Sequence, residues 1–356
     1  MNQAVSLAKE LIKIPSTAEK PQALTRVLQV AQLRLKGFGV RKFISDKTPS
    51  LLFYPGKTQP KKFKLLLNAH LDVVPGKPGQ FNPSVKNGRL YGRGAQDMKG
   101  GAASLILVFK TLAKTLNYPV GLQLVTDEEI GGTNGAKHQL KNGLTAEFVI
   151  AGEPTEFRIN NQSKGIVRVD LVAHGKTAHG AYPWRGKNAV SLVTKTVDNI
   201  LKKYPVPQKE AWRTTANLSW IKTDNQTTNK VPDQAEARLD IRYLPQEIKT
   251  IKASLKDLVA LPVKLKFVAF EPAQFTKSTN PFIKKLIQAT HKITGKKPKI
   301  YSTHGGSDIR LFNARGIGGI TFGPIGGGLH SDQEWVDIKS LNTYQKILTR
   351  FLISYT

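Results

Sequence analysis

The stretch GLQLVTDEEIGG, residues 121–132, joins a short, unbroken apolar run to three consecutive acids, Asp127, Glu128 and Glu129. Apolar residues side by side, without polar alternation, suit a strand that is buried on both faces of a sheet. The acids that follow repel one another at close range. Cations to separate them are plentiful in this chain, which carries 54 Lys plus Arg against 25 Asp plus Glu. Acids left crowded in so basic a sequence point to a positive charge placed among them, from a surface lysine or from a metal.

The same pattern recurs along the chain. LLLNA (65–69) runs into His70 and Asp72, FVIA (148–151) into Gly152 and Glu153, and IGGITF (317–322) into GPIGGGLH, which ends at His330. Between the runs, residues 102–116 place Leu105, Val108, Phe109, Leu112 and Leu116 at helical spacing. Asn280-Pro281 reads as an N-cap followed by proline at the first helical position, opening a helix through 294. Strand–helix alternation of this kind predicts an α/β fold: a mixed, largely parallel central sheet flanked by helices. The middle of the chain differs. IVRVDLV (166–172) and ARLDIRY (237–243) alternate apolar and polar, NLSWIKT (217–223) and VKLKFVAF (263–270) are strand-like, and helical stretches lie at 187–202 and 246–259. This predicts a smaller α+β domain over 165–276, inserted between a first part (1–164) and a second part (277–356) of the larger domain.

In open α/β sheets, ligands bind beyond the carboxyl ends of the strands. Four distant segments therefore deliver His70, Glu129, Glu153 and His330 to one edge, and Asp97, in GRGAQDMKGG just before the helix at 102–116, can join them. Two histidines with three or four carboxylates suit a pair of divalent metals of the zinc type. Taken singly, each residue has a plainer explanation. A lone histidine after a strand is usually structural, a loop acid is usually solvated, Asp97 fits an N-cap, and the glycines before His330 fit a flexible turn. What those explanations leave over is the joint pattern, with every member at the same end of its strand. Other motifs fail. GRGAQD has Asp where a dinucleotide fingerprint needs its last glycine, both GKT triplets lack the earlier glycine of a P-loop, and neither HExxH nor G-x-S-x-G occurs. His174 and His179, in HGKTAH, form a weaker candidate for a local ligand pair.

Composition narrows the choice further. The 356 residues suffice for two domains, and 40% are hydrophobic. With no cysteine, the chain has no disulfide, thiolate metal site or cysteine nucleophile. No stretch approaches the roughly 18 apolar residues of a membrane span. MNQAVSLAKELIKIPST has no apolar signal core and carries an early acid, so it reads as an amphipathic helix, and a cytoplasmic location is the default expectation. The formal net charge of +29 raises the question of nucleic acid. The lysines are scattered, however, and the densest cluster is only Lys296, Lys297 and Lys299. Nucleic acid therefore ranks low as a partner, and the dispersed charge fits general solubility or attraction of anionic substrates.

AHLDVVP, YGRGAQDMKGG, TDEEIGG, AGEPT, HGKTAHGAYPW and GGGLHSDQEWV, in this order from residue 68 to 336, resemble the successive motifs of the M20 family of dinuclear metallopeptidases. That family includes acetylornithine deacetylase, succinyl-diaminopimelate desuccinylase, aminoacylase and glutamate carboxypeptidase. The resemblance implies two Zn2+, with Co2+ or Mn2+ as alternatives. One would be held by His70 and Glu153, the other by Glu129 and His330, with Asp97 bridging. Asp72 would orient His70, and Glu128 would be the general base toward a metal-bridging hydroxide. Neighbours in an extended segment point apart, which lets Glu129 ligate while Glu128 faces the water. The inserted domain would be a ferredoxin-like lid that also forms a homodimer. His179 would reach the partner's site and polarise the scissile carbonyl, while Asn229 and Arg242 would hold substrate, Arg242 at its carboxylate. The implied reaction releases an amino acid from an N-acyl amino acid. A di- or tripeptidase on the same scaffold is the first alternative, and a basic nucleic-acid or anionic-surface binding protein with a vestigial metal site the second. The chain departs from the family pattern at Gln333, where Asn is common, in DNQTTNKVP, which lacks paired glycines, and at His304 before GGSD.

Overall fold

The computed structural model describes residues 3–355. They form two compact units. The first comprises residues up to Asn161, Phe275–Tyr301 and Ser307 onward; the second comprises Gln162–Gln274 and Ser302–Gly306.

The apolar runs of the sequence are the middle of the larger unit's sheet. In spatial order, the first six strands of its nine-stranded sheet are Gly39–Ser45, Thr48–Tyr54, Val120–Val125, Phe63–His70, Ala146–Ala151 and Gly318–Thr321. The last four are mutually parallel, and the first two join them antiparallel. Side chains alternate across the sheet, and both faces are covered. Leu65, Leu67 and Ala69 enter one core, with Leu105, Phe109, Leu341 and Tyr344. Leu66, Val149 and Ala151 enter a second, with Leu140, Ile309 and Phe312. A strand covered on both sides has no solvent face to make polar, which is why its run is continuously apolar.

The expected helices form, with some shifts in length. Gly100–Leu112 packs between Gln3–Ile12 and Ile338–Ile353. Pro281–Thr294 is capped by Asn280, whose side chain accepts from the Phe282 N–H, and is closed by Gly295 at φ +73. The N-terminal amphipathic helix buries Ala4, Val5, Leu7, Ala8, Leu11 and Ile12. Among the described residues no helix is long and apolar enough to cross a membrane.

The second unit follows the order strand, helix, strand, strand, helix, strand. Gly165–His174 and Gln234–Tyr243 are central, with Thr215–Lys222 and Lys264–Glu271 at the edges, all antiparallel. The helices are Ala189–Lys203 and Ile251–Asp257. The second is shorter than the stretch 246–259 suggests, because Pro245–Glu247 forms a separate 3-10 turn. Along Gln234–Tyr243 burial alternates strictly, as the sequence does.

Gly165 faces Tyr243 across the strand pair. Tyr243 is fully buried, lies parallel to Phe270 at 5.7 Å, and its hydroxyl donates to the Glu271 carbonyl. A Cβ at Gly165 would come within 2.1 Å of that ring. Gly165→Ala should therefore destabilise the second unit by about 1–3 kcal/mol through overpacking, read as an earlier transition in chemical denaturation. An unchanged transition would mean that the ring can move aside.

Candidate active site

Each parallel strand of the larger unit ends at the same edge, and the chain beyond it carries the polar groups. His70 is the last residue of its strand and lies in register with Val125, two residues before Asp127. Glu153 follows Ala151 by two residues, and His330 lies nine residues beyond Thr321, in a turn where its own φ is +58.

These residues converge. His70 Nε2 lies 2.9 Å from Asp97 Oδ1 and 3.7 Å from Glu153 Oε1. His330 Nε2 lies 3.2 Å from Asp97 Oδ2 and 3.3 Å from Glu129 Oε2. Asp97 thus turns one oxygen to each histidine, and each histidine faces a different glutamate. Donor atoms of His70, Asp97 and Glu129 all lie within 4.8 Å of one another. The two sides differ in exposure: the side chain of His70 is 1% exposed and that of His330 47%.

Asp97 is not a helix cap. Its backbone, at φ −119 and ψ 98, breaks the helical path before Gly100, its carboxylate oxygens face the two histidines, and the peptide to Met98 is cis. Asp72 acts on two sides. His70 Nδ1 lies 3.1 Å from its carbonyl and 3.5 Å from its Oδ1, while its Oδ2 accepts from the Glu129 N–H at 3.0 Å. Of the three adjacent acids, Asp127 serves the loop: its Oδ2 accepts from the Asn134 N–H, and its carbonyl from the Gly132 N–H.

Other groups at the site were assigned no role from the sequence, although Arg93, Lys99, Glu334 and Asp308 lie within the quoted segments. Glu334 is buried and accepts from Arg93 and from the backbone N–H groups of Gly94, Gln96 and Asp97. Ser16 donates to the Leu71 carbonyl at 2.6 Å, between His70 and Asp72. Lys99, fully buried, donates to the carbonyls of Leu11 and Ile14, and burial lowers its pKa to about 7. Asp308 is buried, and neither of its carboxylate oxygens has a hydrogen-bond partner.

His179, Asn229 and Arg242 belong to the second unit. There the HGKTAHG segment pairs with the segment around Asn229: the Gly180 N–H donates to the Asn229 carbonyl at 2.6 Å, and His179 bridges to Lys230. Exposed His179 accepts the Ala181 N–H at Nδ1. Arg242 is paired with Asp240 at 2.6 Å and lines a hollow of about 820 Å³ with Lys164, Glu210, Asn217 and His304. His304 is hydrogen-bonded to Glu210.

Burial dominates the electrostatics of the cluster, because it penalises charge. It raises Glu129 and Glu153 to about 7, and Asp308 to about 7. Glu128 is pushed well above the ordinary carboxylate range by burial and by the neighbouring charges of Glu153, Asp308 and Asp97. Burial opposes a charged His70, yet Glu153, Asp72 and Asp97 together raise it well above its usual value. The hydrogen bond to Asp97 raises His330. For the metal-free chain the two histidines offset the charge of Glu128, Glu129 and Glu153, and Arg310 that of Asp308. Nitrogen and carboxylate donors crowded in this way fit divalent metals that accept mixed N and O ligands.

A mixed α/β sheet with two histidines and clustered carboxylates at its carboxyl edge defines a hydrolase of the metallopeptidase class. The chain belongs to peptidase family M20/M25/M40, which it matches over residues 66–354. It is 30% identical to a succinyl-diaminopimelate desuccinylase of Bradyrhizobium diazoefficiens, over 99% of this chain and 100% of that one. Aminopeptidase PepT from Bacillus cereus has the same fold, with a TM-score of 0.81 at 20% identity over 98% of this chain and 97% of that one. So does a dinuclear metal-binding M20 peptidase from Bacillus subtilis, at 0.73 and 13% over 99% and 97%.

The raised groups set a pH dependence. Each binds its proton more tightly folded than unfolded, so its contribution is complete below the unfolded value, about 4.3 for Glu and about 6.5 for His. That contribution is lost as pH rises through the folded value. Asp97 is shifted the other way by its two histidines against burial, so its contribution is complete above its ordinary value of 3.8, is lost only as pH falls below that, and adds no slope between pH 5 and 8. Stripped of metal by a chelator, the protein should thus lose melting temperature as pH rises from about 5 to 8. Divalent metal should abolish that slope, since cations then take the place of protons. Scanning calorimetry with and without metal checks both halves.

Proposed function

We propose that the chain hydrolyses the amide bond of an N-acyl amino acid, with an N-succinyl amino acid as the first substrate to test. The observation that carries this reading is Asp97, which faces both histidines with separate oxygens, as a carboxylate between two metals must. The full-length similarity to a desuccinylase favours an acyl amino acid over a peptide.

In this reading His70 and Glu153 would hold one divalent ion, Glu129 and His330 the other, and Asp97 would serve both; zinc suits these donors, with cobalt or manganese as alternatives. A bound pair of such ions supplies Lewis acidity toward the amide oxygen and makes water acidic enough to attack near neutral pH. Asp72 fixes the His70 ring through Nδ1. Glu128 carries no hydrogen bond that would spend its basicity. It takes the proton of the attacking water and gives it to the leaving nitrogen, so that a carboxylate and a free amine depart. Its raised proton affinity suits both halves of that transfer.

The second unit supplies the substrate contacts and joins two chains into a homodimer. Arg242 takes the substrate carboxylate, Asn229 assists it, and His179 donates to the developing oxyanion in the partner subunit's site, a role for which loss of the donor typically costs about 2.7–4 kcal/mol.

A panel of N-succinyl, N-acetyl and N-formyl amino acids beside di- and tripeptides should show preferred turnover of an acyl amino acid. That activity should vanish with chelator and return with zinc, cobalt or manganese. Glu128→Gln should bind two metal equivalents and turn over nothing. Faster cleavage of peptides moves the assignment to the peptidase reading, and near-normal activity in Glu128→Gln removes the base.

Dimer sharing has its own measurement. Glu128→Gln should be inactive and His179→Ala nearly so, whereas a mixed dimer would contain one site with both groups intact. Re-equilibrated mixtures should regain about a quarter of wild-type activity, as a two-fold symmetric dimer requires. Mixtures that stay inactive mean that each chain uses its own His179.

A further inference from the structure

Glu334 sits four residues beyond His330 and is 2% exposed. Its Oε2 accepts from Arg93 Nη1 at 2.8 Å and from the Gly94 N–H at 2.9 Å. Its Oε1 accepts from the N–H groups of Gln96 at 2.9 Å and Asp97 at 3.1 Å. An ionised carboxylate has about four acceptor positions, and here four donors fill them. Arg93, 3% exposed, donates its other terminal nitrogen to the His330 carbonyl at 3.4 Å.

Ala95 and Met98 anchor the gripped segment in the core, but at Gln96 and Asp97 the backbone N–H groups go to Glu334 alone. Gly94 has φ +81, and Asp97 and Met98 leave the helical region before the next helix starts. No sheet ladder fixes the backbone there, yet Asp97 must keep an oxygen on each histidine. Apolar residues in place of a buried ion pair often cost little. In this position they would strand three backbone N–H groups, which the fold can satisfy only with an acceptor.

The geometry points to Glu334 and Arg93 as positioning residues: they touch neither imidazole, and they set the direction of Asp97 through its backbone and of His330 through its carbonyl. This rests on the two-metal reading above. Because Arg93 also reaches the His330 carbonyl, and neither residue contacts His70 or Glu153, the pair bears mainly on the ion that His330 and Glu129 would hold.

The test titrates metal into chelator-stripped wild type, Glu334→Gln and Arg93→Lys, well below the melting temperature of each. Calorimetry reads stoichiometry and affinity, and the visible spectrum of the cobalt-loaded protein reads ligand geometry. Glu334→Gln turns an amide NH2 toward donors; Arg93→Lys keeps the charge but loses the fork that also reaches His330. The second equivalent should bind about 10–100-fold more weakly in both, with the first less affected and the cobalt spectrum changed. Two equivalents bound at wild-type affinity, in whichever variant folds, overturn the inference. Failure of both variants to fold overturns it as well, since the pair would then serve the fold as a whole. A wild type that takes up no second equivalent brings down the two-metal reading and this inference with it, and that result is seen before any variant is compared.

Discussion

Like charges held together where water reaches poorly are the constraint on which the larger unit depends. Asp97, Glu128, Glu129, Glu153 and Asp308 share one neighbourhood, and burial alone pushes most of them toward neutrality. Two histidines temper the repulsion. A sheet with four parallel strands forces the arrangement, because every strand releases its chain at the same edge. The helices on both faces keep that edge rigid, and the buried Arg93–Glu334 pair closes it at the C-terminal end of the chain.

Legibility of this arrangement in the sequence follows from what makes a local mark. A strand covered on both faces must be apolar throughout, so LLLNA, GLQLVT, FVIA and IGGITF stand out, and the first polar residues after each run are the ones that converge. Asp97 was harder. An acid before a helix is ordinarily a cap, and only the broken backbone at Asp97–Met98 shows that its side chain is directed elsewhere. Arg93, Lys99 and Glu334 lie inside the motifs YGRGAQDMKGG and GGGLHSDQEWV, but their roles, and that of Ser16, were not legible. Their partners lie about 55 to 240 residues away in sequence or are backbone groups, and no periodicity or spacing encodes a bond of that kind. The helix read over 246–259 was too long for a similar reason: its apolar spacing runs on through a turn that Pro245 starts.

In the second unit, the solvent face of the sheet is a grid of guanidinium and carboxylate groups. Asp240 receives Arg168 on one oxygen and Arg242 on the other, and Asp170 receives Arg238 through two nitrogens. Two arginines on one aspartate leave a positive surplus beside Lys164, whose pKa is lowered by burial and by Arg242 and Arg213. Part of the net charge of +29 therefore has a local address, on a face whose excess charge draws anions. Arg242 is also held in one orientation by Asp240, which would reduce the entropy lost in the carboxylate-binding role proposed for it.

The position of His330 has a bearing on how the protein comes into being. His70, Asp97, Glu129 and Glu153 are all synthesised before residue 161, whereas the strand Gly318–Thr321 that completes the parallel set, and His330 after it, come from the last tenth or so of the chain. While a ribosome is still making the second unit, the emerging acids have only one of their two histidines, and the edge of the sheet beside Ala146–Ala151 is open. A growing chain can therefore assemble only half of its ligand cluster, and contacts spanning most of its length must close before the other half exists.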